Sequence, residues 1–127
     1  MTVSSACKYY GAVCLLLVVA TTISAHSTDD KLQECRDAIK NGKYQVAMSV
    51  CQSAAESLED DDDIAEAHIL AGDAFTATGT TLQAMRAYKE ALEVDDGNQL
   101  GLLGLAESAY RLGDFGQAVA AGKQITA

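Results

Sequence analysis

Three glycines, Gly42, Gly79 and Gly113, punctuate the chain at intervals of 37 and 34 residues, and each separates two stretches with similar apolar spacing. Around Gly79, small or apolar residues fall at Ala67, Leu70, Ala71, Ala74 and Phe75 before the turn. After it they fall at Leu82, Met85, Tyr88, Ala91 and Leu92. Steps of three and four mark one face of a helix. Glycine is the residue best suited to the left-handed backbone that ends a helix and reverses the chain. Each unit therefore reads as helix, turn, helix. The absence of proline and the dominance of Ala and Leu point the same way, because neither residue loses much side-chain freedom in a helix. The expected fold class is all-α.

The stretch 65–98 resembles the tetratricopeptide repeat (TPR) family, whose 34-residue pattern runs W-x2-L-G-x2-Y, then A-x3-F, then Ala and Pro. Gly72 and Phe75 match the G-x2-Y portion, Ala84 and Tyr88 match A-x3-F, and Ala91 matches the later Ala. His68, Ala71 and Asp96 stand where the pattern prefers Trp, Leu and Pro. The pattern recurs downstream at Leu102, Leu105, Ala106, the turn Leu112–Phe115 and Ala118. Upstream it recurs at the turn Asn41–Tyr44, Ala47, Cys51 and Ala54. The repeats would span about 28–64, 65–98 and 99–127, with the extra length of the first in the acidic linker Glu59–Asp63.

The resemblance implies a short right-handed solenoid of about three antiparallel helix pairs. Its first helices would line a concave groove for a peptide segment. The first pair would contribute Leu32, Arg36, Ile39 and Lys40 to that groove, and the second Ile69, Asp73 and Thr76. The third would contribute Leu103, Glu107, Tyr110 and Arg111, so that Leu32, Ile69 and Leu103 form an apolar stripe flanked by charge. Within the repeat, Cys35 takes the place of Gly72 and Cys51 that of Tyr88, so paired helices would present the two thiols to each other. A Cys35–Cys51 disulfide is expected, with two buried free thiols as the alternative.

The first 25 residues are a different kind of sequence. Lys8 is the only charge before Asp29, and Gly11–Ala20 is an apolar run of about ten residues followed by small polar ones. That is the layout of a secretory signal peptide, spanning 1–25 with cleavage as late as 27. The alternative is an uncleaved anchor extended to Ile23. Cleavage would remove Cys7 and Cys14 and leave Cys35 and Cys51 in an oxidising compartment, whether secreted, periplasmic or ER-lumenal.

Charge and chemistry narrow the function further. A net charge of −9 disfavours a phosphate backbone as partner, so no nucleic acid is expected. The only histidines are His26 and His68, and no nucleophile is paired with a base, so the expectation is a non-enzymatic protein without cofactor, metal or evident small-molecule substrate. Asp60–Asp63 lacks the alternating ligands of a calcium loop and reads as the acidic N-terminus of a helix over Ile64–Ala77. The expected role is a protein-binding scaffold or adaptor outside the cytoplasm. The alternatives are a substrate-holding module related to lumenal DnaJ-type co-chaperones, without the J-domain, or a small thiol-redox or metal-binding protein using Cys35, Cys51 and His26. Val119, Ala120 and Ile125 give the last helix an apolar face, which leaves self-association through it open.

Overall fold

The computed structural model describes residues 30–126, and the segment read as a signal peptide, with His26, lies outside them. The described residues fold into six helices without strands. These are α1 (residues 30–40), α2 (Tyr44–Ser57), α3 (Asp61–Ala77), α4 (Thr81–Val94), α5 (Gln99–Arg111) and α6 (Phe115–Thr126). Each of α2 to α6 packs against the helix before or after it in the chain, and α3 also touches α5. Among the described residues no helix is long and apolar enough to cross a membrane.

The three expected turns close by one geometry. Gly42, Gly79 and Gly113 have φ of 71°, 80° and 80°, and no other described residue has positive φ. At the second turn the Gly79 amide donates to the Thr76 carbonyl (3.1 Å) and the Thr80 amide to the Phe75 carbonyl (2.9 Å). The same pair of bonds recurs at Gly42 and Lys43, and again at Gly113 and Asp114. These are Schellman motifs, which satisfy carbonyls that a helix end leaves unpaired.

The acidic linker departs from expectation by three residues. Helix α3 begins at Asp61 rather than Ile64, because Asp60 caps it: its carboxylate accepts from the amides of Asp62 (3.0 Å) and Asp63 (3.4 Å). Asp61, Asp62 and Asp63 then fill the first turn, where the helix dipole favours negative charge.

Alanine makes up more than half of the buried apolar residues, so the helices approach closely. In the first hairpin Cys35 and Cys51 form a disulfide across α1 and α2, with Cα atoms 5.1 Å apart and both residues fully buried. Ala38, Ala47, Ala71 and Ala74 surround it. In the second hairpin the equivalent positions hold Gly72 and Tyr88. The Tyr88 ring would lie 2.6–2.9 Å from a Cβ at Gly72, and it also fills the space where a Gly104 Cβ would stand. Tyr88, from α4, is thus wedged between α3 and α5 and ties the second hairpin to the third.

Gly104→Ala should destabilise the protein by about 1–3 kcal/mol, since Gly72 on the other side leaves the ring nowhere to go. Gly122→Ala in α6 meets open space and should stabilise by up to about 1 kcal/mol, the ordinary helical preference for alanine. Urea unfolding of both variants checks the opposite signs. The disulfide closes a separation of 16 residues, and replacing both cysteines with alanine should cost about 3 kcal/mol. In the folded protein the bond should resist mild reductant, and thiol labelling before and after urea treatment reads this directly.

Candidate functional site

A cleft open to solvent lies between α3 and the start of α5. It has a volume of about 340 Å³ and is lined by Asp62, Glu66, Ile69, Leu70 and Asp73 of α3 together with Asn98 and Leu100. Asp62, Glu66, Ile69 and Asp73 fall on one face because steps of three, four and seven return to the same side of a helix. On α5 the same spacing places Leu100, Leu103, Glu107 and Tyr110 on a shared face. Leu100, Leu103 and Tyr110 are 64%, 55% and 66% exposed, so this face carries large apolar groups in water. Asn98 anchors the start of α5 by accepting from the Gly101 amide at 3.0 Å, which fixes where Leu100 emerges.

The carboxylates of the cleft are in different electrostatic states. Glu66 receives a two-pronged hydrogen bond from Arg36 of α1, at 2.6 and 2.7 Å, which holds its carboxyl below the usual range. Asp73 accepts the Tyr88 hydroxyl at 2.6 Å. Burial pushes the Asp73 carboxyl up, the Tyr88 hydrogen bond opposes this, and the nearby charge of Glu107 pushes it up further. Burial and donation to Asp73 in turn push the Tyr88 phenol well above its ordinary value. Thr76 donates to the Gly72 carbonyl (2.9 Å) and lies 3.4 Å from the Tyr88 hydroxyl. Glu107 is paired within its own helix with Arg111 at 2.6 Å.

The expected groove residues divide into three sets. Leu32 and Ile69 are buried at 3% and 6% exposure, so they close the packing between successive hairpins, although the edge of Ile69 reaches the cleft floor. The continuous apolar stripe expected from Leu32, Ile69 and Leu103 is therefore not an open surface. Ile39 is half-buried against the Cys35–Cys51 core. Arg36, Lys40, Asp73, Leu103, Glu107, Tyr110 and Arg111 are exposed, and Thr76 is half-buried behind Tyr88.

No family model and no curated protein matches this chain. The site therefore stands on its own geometry. Asp62, Glu66 and Leu100 are lining residues that the sequence reading passed over. Asp62 and Glu66 precede Asp73 on its helical face, and Leu100 precedes Leu103 by three. The signal was present for Glu66 and Leu100 in the helical spacing, whereas that of Asp62 depended on starting α3 at Asp61.

His68 lies off this face, where its Nδ1 is 3.2 Å from a Glu90 carboxylate oxygen of α4. Cys35 and Cys51 are closed off from solvent. The cleft offers carboxylates, one amide and apolar side chains.

Asp73 leads to a pH prediction. A carboxyl whose pKa is raised by folding adds stability at acid pH and loses it as pH rises through the folded value. Asp73→Asn keeps an oxygen to accept the Tyr88 hydroxyl and removes the charge. At neutral pH it should raise stability by less than about 1 kcal/mol, the discount reflecting solvent screening. The difference should close as pH falls into the carboxylate range. Thermal melts of both proteins at neutral and acid pH check the sign.

Proposed function

We propose that the chain is a non-enzymatic protein-binding module of the TPR type, a short right-handed solenoid of three helix pairs that holds a polypeptide segment in its groove outside the cytoplasm. The observation that carries this reading is the α3–α5 cleft, open to solvent and walled by the first helices of two successive hairpins. Successive hairpins closed by the same glycine turn, with Tyr88 of one wedged against Gly104 of the next, support the repeat reading. Exposed Leu100 and Tyr110 support recognition, since apolar side chains clustered in water commonly mark interaction surfaces. The Cys35–Cys51 bridge and the apolar run Gly11–Ala20 support export, because stable disulfides belong to oxidising compartments.

The test is site-resolved photo-crosslinking in the full exported chain. A photoreactive residue at Leu100 or Tyr110 should give discrete polypeptide adducts, whereas one at exposed Gln45 on α2 should give none. Equal labelling from all three positions, or none from the groove positions, would remove the groove as the binding surface.

A further inference from the structure

The charge and shape of the cleft restrict what it could hold. Its α3 wall carries Asp62, Glu66 and Asp73, and Glu107 adds a further carboxylate beside Asp73. The two nearby guanidinium groups are already engaged, Arg36 with Glu66 and Arg111 with Glu107. Asp73 is partnered by a neutral hydroxyl while its charged neighbour is another carboxylate, so its negative charge is held in an unfavourable place. A cation arriving beside it would offset the repulsion from Glu107. Opposite the acidic wall stands Leu100, with Ile69 and Leu70 at the floor and Tyr110 further along α5.

We propose that the occupant of this cleft is a cationic amphipathic polypeptide segment, one that places Lys or Arg against Asp62 and Asp73 and apolar side chains on Leu100 and Ile69. This rests on the protein-binding reading above and adds the chemistry of the partner. The observation behind it is charge complementarity combined with an apolar wall in one cleft. An acidic segment, a carboxylate terminus or an anionic lipid surface meets repulsion there. A second copy of this chain, itself at −9, meets it too. Opposed charges across such a surface set partner choice and encounter rate, and both fall as salt screens them.

Selection of random 12-residue peptides displayed on phage, against the full disulfide-bonded chain, tests the idea. Enriched peptides should interleave Lys or Arg with Leu, Ile or Phe. Their binding should weaken about three- to tenfold with Asp62→Asn/Asp73→Asn and fall with added salt. It should also be lost with Leu100→Ser. Because Asn at 73 still accepts the Tyr88 hydroxyl, the double variant keeps its fold, and a thermal melt verifies this. Enriched peptides that lack basic residues, depend on Leu100 and ignore the Asp62/Asp73 change would overturn the charge assignment while leaving the groove reading in place. No enrichment, or binding indifferent to Leu100 as well, would overturn both.

Discussion

The second and third hairpins depend on one side chain. Tyr88 is the largest residue in a core made mainly of alanine, and it is accommodated only because Gly72 on α3 and Gly104 on α5 have no Cβ. Burying a ring of this size contributes on the order of 2 kcal/mol, but only while both neighbours stay small. The phenol oxygen must also find a partner once the ring is buried. It finds Asp73, so the packing of the core and the electrostatics of the cleft are set by the same residue. A carboxylate held in place this way keeps its position at some cost in stability.

The first hairpin meets the same geometric problem with different chemistry. Cys35 and Cys51 occupy the positions of Gly72 and Tyr88, and a covalent bond joins the helices where a ring on a glycine joins them in the second hairpin. In the third hairpin the equivalent positions are Ala106 and Gly122, both small. The repeats thus share a register but not a mechanism of closure.

This explains what was legible in the sequence. The turn glycines and the pairing of the cysteines could be read because each is a local or periodic feature tied to one register. The cleft was only partly legible, because membership depends on how each helix is rotated and on what covers it. Placing the start of α3 at Ile64 removed Asp62 from the helix and hid its alignment with Glu66 and Asp73. Leu32 and Ile69 were expected on an open face because the resemblance assigns those positions to a groove. In the folded chain Leu32 is covered by residues of α2 and α3, and Ile69 by residues of α4, α5 and α6.

The exposed apolar residues near the C-terminal end therefore have two different origins. Leu103 is the register equivalent of Leu32 and Ile69, and Val119 is the equivalent of half-buried Met48 and Met85. In the earlier hairpins those positions are covered by a helix of the hairpin that follows. No described helix follows α6, and Leu103 and Val119 are each 55% exposed. Leu100 is different. Its equivalent in the preceding hairpin is Glu66, which lines the cleft and is salt-bridged to Arg36 of α1. The same register position thus carries a salt-bridged carboxylate in one hairpin and a 64% exposed leucine in the next. The helix could place a polar residue there without loss of packing. Leu100 stands in the cleft with Asp62, Glu66 and Asp73, so an exposed apolar side chain and three carboxylates face one space.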